Sequence, residues 1–376
     1  MVRRWTINGR FLQQPVTGVQ RYGNEILRAL DRALKEGRQF SENLDVELLI
    51  PSDAPLPADL ERISVKRFGR MGGHAWEQIE LPRAAGGRGL VSLCNAGPIA
   101  YRKQIACIHD LNTRIMPASY SLPFRMLYRV TVPALGRMAE RIATVSHFSA
   151  QQLVSYGVCR SEKISVIPNG SEHALAWRPE HSQKSRAVAD KSTILMLGSQ
   201  APHKNVAMLL GLAEELSKRG LRLALAGKSD PRIFAADSGN GPSGNLQKGG
   251  VVWLGHISDE EFAALLDDCL CFAFPSLTEG FGLPPLEAMA RGCPVVVSDR
   301  ASLPEVCGTA ALYASPKSPT EWLAQFERLS ASAELRTELS EAGRSRAQNF
   351  TWRRSADLYL QAMARSDGIA PSQLLS

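Results

Sequence analysis

Two acids, Glu279 and Glu287, stand eight positions apart in FPSLTEGFGLPPLEAMARGCP (274–294). Gly280, Gly282, Pro284 and Pro285 lie between them. An apolar run, CFAFP (271–275), comes before, and a helix-like run comes after, so the stretch reads as strand, loop, helix. Proline suits a first helical turn, where its missing N–H is not needed. The free N–H groups and the positive dipole end of that helix suit a phosphate. The glycines let backbone approach a ligand closely. A carboxylate accepts from two hydroxyls at once. One acid can therefore grip a sugar ring and the other a ribose, with a diphosphate between them. Either acid alone is explained as well by the preference of helix N-termini for negative charge. The pair, in this loop after a strand, favours binding.

Three further stretches place chemistry after a strand. LGSQAPHKN (197–205) follows STILML and leads into a helical pattern. Lys204 there opposes the helix dipole, which makes sense if it faces a diphosphate; a solvated lysine is the simpler alternative. In CIHDLNTRIMP (107–117), His109 ends an apolar strand, where a hydrogen-bonded structural histidine is equally common. In TGVQRYGNEILRAL (17–30), Gly18 sits in a loop between the strand WTIN and a long amphipathic helix, and the neighbouring Arg21 reads equally as a surface residue.

The elements that must position these residues alternate. Apolar runs VELLI (46–50), IACIHD (105–110), RIATVS (141–146) and KISVIP (163–168) are separated by amphipathic stretches such as Tyr22–Lys35 and Ser149–Tyr156. That alternation predicts a parallel, doubly wound sheet. Residues 169–190 are polar and aperiodic and mark a boundary. The pattern restarts with STILMLG (192–198), a helix over Asn205–Arg219, LRLALAG (221–227), VVWLG (251–255), a helix from Asp259, CFAFP, a helix from Pro284 and PVVVS (294–298). Asp230–Gly250 reads as an exposed loop and Trp352–Met363 as a last amphipathic helix. The expected organisation is a first α/β domain over 1–175, a linker over 176–190, a second over 191–350, and a terminal helix and tail over 351–376.

The 376 residues suffice for two such domains. No apolar run reaches the roughly 18–20 residues of a membrane span, and MVRRWTINGRF lacks a signal-peptide core. A cytoplasmic protein is expected. The seven cysteines form no CxxC pair, which predicts reduced core thiols and no metal site. Residues 1–175 carry 23 Lys and Arg against 15 Asp and Glu, and the remainder 21 against 22. The basic front half suggests an anionic partner. No zinc-finger, RRM or clear helix-turn-helix pattern points to nucleic acid. In LPFRMLYRVTVPALGRMAER (122–141), Arg125 and Arg129, and Arg137 and Arg141, fall four apart on helical faces interleaved with apolar residues, with Pro133 breaking or kinking the helix. An ordinary surface helix and a helix resting on an anionic membrane both fit.

EGFGLPPLE resembles the E-x7-E motif of retaining GT-B glycosyltransferases, family 4 or group 1, and AMARGCPVVVSDRASLPEV is similar to the segment after that motif in the family. The resemblance runs from about residue 15 to about 363. It implies two Rossmann-like doubly wound domains facing a central cleft, with the terminal helix crossing back to the first domain. It implies that Glu279 binds donor-sugar hydroxyls and Glu287 the nucleotide ribose. Gly280, Phe281, Gly282 and Leu283 would line the sugar and diphosphate, and Lys204 would bind phosphate. His256 and Ile257, in GHISDEEFAALL (255–266), would lie near the base, and Gly18 near the donor phosphates. His109 would orient or polarise at the donor sugar, so that Glu279, His109 and Lys204 form the implied catalytic set. Where many members carry a second phosphate-binding Arg, this chain has Ser199.

The implied activity is metal-independent, retaining transfer of a hexose, mannose as first expectation, from a nucleoside diphosphate sugar to a glycan or lipid-linked glycan, in bacterial surface polysaccharide synthesis. GDP-mannose is the first donor expected, with UDP-hexoses and dTDP-rhamnose open, and no cofactor. A GT-B epimerase or hydrolase and a non-catalytic sugar-nucleotide binder remain alternatives. A nicotinamide-dependent oxidoreductase is disfavoured, because no GxGxxG follows the first strand.

Overall fold

A computed structural model describes residues 2–57, 59–182, 188–199, 201–227, 246–248 and 250–369. The chain divides into two compact units. The first comprises residues 1–114, 121–170 and 351–376, and the second 115–120 and 171–350.

The first unit holds a sheet of seven parallel strands: β1 (Arg3–Asn8), β2 (Leu44–Ile50), β3 (Ser64–Arg67), β4 (Gly89–Ser92), β5 (Gln104–Cys107), β6 (Arg141–Thr144) and β7 (Ile164–Val166). Their order is β3-β2-β1-β4-β5-β6-β7, so the winding direction reverses between β1 and β4. The central strands are largely buried because helices cover both faces of such a sheet. All of β4 and β5 is buried.

The helix Trp352–Ser366 belongs to this unit. Trp352, Ala356, Tyr359, Leu360 and Met363 recur at helical spacing and are buried. They face the helix Gly18–Lys35, where the Tyr22 and Tyr359 hydroxyls are 3.0 Å apart. Ser355 Oγ donates to the Pro168 carbonyl at 2.5 Å. Just past the helix, Asp367 accepts from Arg3 Nε at 2.7 Å and Trp5 Nε1 at 2.9 Å, and pairs with Lys103 at 3.0 Å.

The second unit repeats the plan with β8 (Thr193–Leu197), β9 (Arg222–Ala226), β10 (Leu246–Lys248), β11 (Val251–Gly255), β12 (Cys271–Phe274), β13 (Val295–Ser298) and β14 (Leu312–Ala314). The order is β10-β11-β9-β8-β12-β13-β14, parallel except for β10 against β11. The reversal here falls between β8 and β12. One core spans Ile194, Leu223, Cys271, Val296, Trp322 and Phe326. Six of the seven cysteines are buried and all are free thiols.

Several local expectations are corrected. The strands expected over 105–110, 141–146 and 163–168 end at Cys107, Thr144 and Val166, where pairing with the neighbouring strand stops. His109 therefore lies beyond its strand, in the loop. Gly18 is the first residue of its helix, with Thr17 as N-cap, rather than a loop residue. The helix expected over 205–219 is two short ones, Val206–Leu210 and Ala213–Lys218, interrupted at Gly211. The helix Leu122–Met138 continues through Pro133. Residues 228–245 and 249, within the expected Asp230–Gly250 loop, lie outside the described residues, as do 183–187 of the expected linker and the tail from 370.

Candidate functional site

In the second unit, the loops after β8 and β12 meet at the point where the sheet reverses, the place where open α/β sheets bind ligands. The loop after β12 turns into the helix Leu283–Arg291 at Gly282, whose φ is 102°. A Cβ there would stand 2.6 Å from Leu303 Cδ2, so backbone angle and space both call for glycine. Pro284 and Pro285 have no N–H, which leaves Leu283 as the only donor among the first three helical residues. Anion attraction at this end rests on Leu283 and on the loop amides before it. Buried Ser302 fixes the loop, its hydroxyl donating to the carbonyls of Glu279 at 3.0 Å and Phe281 at 2.8 Å.

The loop after β8 forms a 3-10 turn over Pro202–Lys204. Lys204 thus precedes the next helix instead of starting it. Asn205 follows in the left-handed region, φ 55°, which asparagine tolerates better than most residues. Its side-chain amide donates to the carbonyls of Pro275 at 3.2 Å and Pro316 at 2.8 Å. The Leu277 N–H donates to the His203 carbonyl at 2.8 Å, so the two loops are stitched by backbone. Their side chains then converge. Lys204 Nζ lies 2.8 Å from Glu279 Oε1 and 5.2 Å from the Phe274 ring centroid. Glu279 is buried and Lys204 partly exposed. His203 stacks on Tyr120 with centroids 6.1 Å apart. Burial, then the Lys204 charge, push the His203 pKa down, and the Glu279 carboxylate opposes this. Ser199 serves the turn itself, its hydroxyl accepting from the Ala201 N–H at 3.2 Å.

Glu287 is the fifth residue of its helix, in the second turn rather than the first. Dipole capping therefore does not explain it. It is buried, and its Oε1 lies 2.8 Å from His173 Nε2. His173 comes from the short turn Glu172–Ala176, and Trp177 packs edge-on against it at 5.4 Å. His256 and Ile257 lie between β11 and the helix Asp259–Asp268, which a Ser258–Glu261 capping box opens. His256 is exposed and Ile257 half-buried. Among the described residues, no hydrogen bond or ion pair joins them to Lys204 or Glu279.

Gly18 and His109 belong to the first unit. The His109 N–H donates to Asn95 Oδ1 at 2.7 Å, and Ser149 Oγ donates to its carbonyl at 2.8 Å. Its Nε2 lies 2.8 Å from the Leu93 carbonyl. A carbonyl only accepts, so the proton sits on Nε2 and Nδ1 is the acceptor. Burial lowers the His109 pKa to about 4, against the pull of the Leu93 carbonyl, so the ring is neutral at pH 7. The Tyr22 ring meets it edge-on at 4.7 Å. Gly18 is exposed, and a Cβ there would meet nothing within 4 Å, so packing does not demand glycine.

The structure thus brings Lys204, Glu279 and the Gly280–Leu283 loop together. It sets Glu287 one turn further along the helix, and His256 and Ile257 on a separate loop of the same unit. Such an arrangement can hold an anion beside a group of hydroxyls: a cation and backbone amides for the first, carboxylate oxygens for the second. His173, Asn205 and Ser302 were not picked out from sequence. Asn205 ends LGSQAPHKN, where a lone Asn before a helix is a readable signal; His173 and Ser302 carry none.

Residues 178–346 match the family model for glycosyl transferases group 1. The serotype-specific mannosyltransferase WbdA of Escherichia coli is 27% identical over 274 residues, covering 70% of this chain and 33% of that protein. The O-antigen chain mannosyltransferase RfbU of Salmonella typhimurium is 27% identical over 230 residues, covering 61% of each. The chain thus spans between a third and three-fifths of the length of these two relatives. The structure of sucrose-phosphate synthase from Thermosynechococcus elongatus aligns over 98% of this chain and all of that one, with a TM-score of 0.70 and 16% identity. That likeness shows the fold, two Rossmann-like units of the GT-B kind. Residues 178–346 thus resemble the group 1 glycosyl transferases, and the chain has the GT-B fold.

Proposed function

We propose that this protein is a retaining glycosyltransferase moving a hexose, mannose first, from a nucleoside diphosphate sugar to a glycan or lipid-linked glycan. The observation that carries the reading is the Lys204–Glu279 pair, 2.8 Å apart where the second sheet reverses, beside the Gly282 helix start. Two relatives named as mannosyltransferases, one acting on O-antigen chains, favour mannose, GDP-mannose as donor and surface polysaccharide as product.

In this reading Glu279 accepts from donor-sugar hydroxyls and Glu287 from the ribose, while His256 and Ile257 lie near the base. Lys204, with the amides of Phe281, Gly282 and Leu283, meets the diphosphate. As the sugar–phosphate C–O bond breaks, negative charge grows on the leaving oxygen, and these fixed groups stabilise it. No metal is required for that task. An acceptor hydroxyl attacks from the face the phosphate leaves, a new C–O bond forms, and its proton passes to the departing phosphate. Neutral His109 accepts from a sugar hydroxyl through Nδ1 and is no proton carrier at pH 7. Gly18 stands near the donor phosphates.

Thermal stabilisation of wild type and Glu287→Ala by UDP, GDP, dTDP and NAD, without metal, tests the reading. Stabilisation by one nucleoside diphosphate, weakened in the variant, supports it and names the base. Stabilisation by NAD alone sinks it.

Peripheral contact with an anionic membrane is part of the proposal. No described helix is long and apolar enough to cross a membrane. The helix Leu122–Met138, however, exposes Leu122, Phe124, Met126, Leu127 and Val130 beside Arg125 and Arg129. Apolar side chains with interleaved cations suit an anionic interface. Protein left in the supernatant with anionic liposomes at low salt would refute this part.

A further inference from the structure

Two thiols touch at the amino edge of the second sheet, the edge away from the loops that carry Lys204 and Glu279. Cys269 lies just before β12 and Cys293 just before β13. These strands are parallel neighbours, with Phe272 in register with Val295, so the two cysteines stand nearly level across them. Both are buried, and their sulfurs are 3.5 Å apart. Each sulfur otherwise meets a carbonyl: Cys269 Sγ is 3.7 Å from the Leu266 oxygen and Cys293 Sγ 3.5 Å from the Pro294 oxygen. Burial, then the Cys293 sulfur, push the Cys269 pKa up, and the Lys191 charge opposes this, so Cys269 rests as a thiol. A disulfide needs sulfurs about 2.0 Å apart and Cα atoms about 4.4–6.8 Å apart. Adjacent strands stand about 4.8 Å apart, which suits the Cα requirement. The sulfurs have about 1.5 Å to close, within reach of side-chain rotation.

A reagent has a way in. Both cysteines line a cavity of about 700 Å³. Lys191, Arg291, Arg336 and Arg344 line it too, against Asp267 and Glu341. Arg291 takes both Asp267 oxygens, at 2.9 and 2.6 Å. Lys191 donates to the carbonyls of Asp267 at 3.2 Å and Cys269 at 3.1 Å, and Arg336 to those of Leu329 and Ser330. The Arg344 guanidinium lies over Gly292, where a Cβ would come 2.3 Å from its Nε. Among the described residues it makes no hydrogen bond or ion pair. Four cations thus face two acids beside the thiols. The helices Asp259–Asp268 and Leu283–Arg291 both end here, and their dipoles offset about half a charge each. A positive excess remains, which draws in an anionic reagent.

We propose that Cys269 and Cys293 are a modification site, a dithiol that an acidic low-molecular-weight disulfide converts reversibly to a protein disulfide. One cysteine thiolate attacks the S–S bond of the reagent and releases one reagent thiolate. The other cysteine then attacks the mixed disulfide. The Cys269–Cys293 bond forms and the second reagent thiolate leaves. The two cysteine protons pass to the two released thiolates. The cysteines are oxidised and the reagent is reduced, two electrons in all. The new bond ties the end of the helix Asp259–Asp268 to the end of the helix Leu283–Arg291. It spans 24 positions, and such a cross-link stabilises a fold by restricting the unfolded chain. The proposal does not depend on the glycosyltransferase reading.

The test incubates the folded full chain with oxidised glutathione, blocks the remaining thiols and maps disulfides by peptide mass spectrometry, with Tm measured alongside. Bis(2-hydroxyethyl) disulfide is the uncharged arm, and each rate is divided by that of the same reagent on the urea-unfolded chain. Wild type, Cys293→Ser and Arg344→Gln are compared. Wild type is expected to give a Cys269–Cys293 cross-linked peptide, and its Tm to rise by about 3–10 °C and return with dithiothreitol. Cys293→Ser should give neither. The relative rate with oxidised glutathione should exceed that with the neutral reagent about fivefold at low salt, and the advantage should shrink in Arg344→Gln and at high salt. The wild-type map needs no variant, so it carries the test if Cys293→Ser folds poorly. The proposal is overturned if Cys269 and Cys293 stay reduced in the folded chain while the less buried Cys159 reacts. It is overturned equally if the cross-link leaves Tm unchanged, or if the neutral reagent does as well as the acidic one.

Discussion

His173 Nε2 lies 2.8 Å from Glu287 Oε1, and both side chains are buried. A buried carboxylate without a donor is costly, so this histidine does more than fill space. It fixes where the carboxylate points before any ligand arrives. If Glu287 meets the ribose, His173→Ala and Glu287→Ala should both raise the donor KM, about tenfold for a charge-assisted contact, with kcat changed less. Competition by a nucleoside diphosphate and its 2′,3′-dideoxy counterpart checks the assignment. Wild type should prefer the ribose form, and Glu287→Ala should not. Equal preference in both proteins would remove Glu287 from the ribose.

Lys204→Ala should act on the chemical step. Loss of one preorganised group facing developing charge lowers kcat by about 10²–10³. Affinity for the nucleoside diphosphate should drop more than affinity for the monophosphate. Equal losses for the two nucleotides would place Lys204 away from the terminal phosphate. Glu279→Gln keeps the shape and removes the charge, so it should lower transfer while leaving nucleotide affinity close to wild type.

Gly282→Ala should cost stability as well as activity. Alanine at φ 102° is strained, and its Cβ would press on Leu303. A loss of about 1–3 kcal/mol is expected. Urea unfolding measures it. An unchanged midpoint would show that the loop adapts freely.

His109 predicts a pH dependence of stability. Its folded pKa, about 4, is below the unfolded value near 6.5, so between those values the unfolded chain binds more protons. Its contribution is intact above pH 6.5 and is lost as pH falls toward 4. From pH 7 to pH 5 the difference is about 2 kcal/mol, at 1.36 kcal/mol per unit. His109→Gln should lose correspondingly less stability over that range in urea titrations. Identical pH slopes would mean that the ring is not buried neutral.

Much of the fold was readable because apolar runs in doubly wound sheets are dense and bounded. Residues 46–50, 193–197 and 271–274 lie within strands as expected. The loop from Glu279 to Leu283 was readable because glycine and proline punctuate it. What stayed hidden was pairing over distance. His173 sits in a polar stretch with no periodicity, and its partner is 114 positions away. Ser302 is one of many serines until its hydroxyl is seen on the Glu279 and Phe281 carbonyls. Arg10 and Glu77 meet across 67 positions. Lys204 was misplaced onto a helix start because a 3-10 turn and a left-handed Asn205 have no apolar signature.

The helix Trp352–Ser366 has a consequence for how the molecule is made. Trp352, Tyr359 and Met363 complete the core under Tyr22, and Asp367 closes on Arg3, Trp5 and Lys103. A ribosome delivers those residues only after the whole second unit. The unit started first is therefore the one finished second. Until then Tyr22 and its apolar neighbours lack their cover, and the nascent first half is the segment most exposed to chaperones and proteases. A stop codon placed just ahead of Trp352 would leave the second unit whole and strike the first.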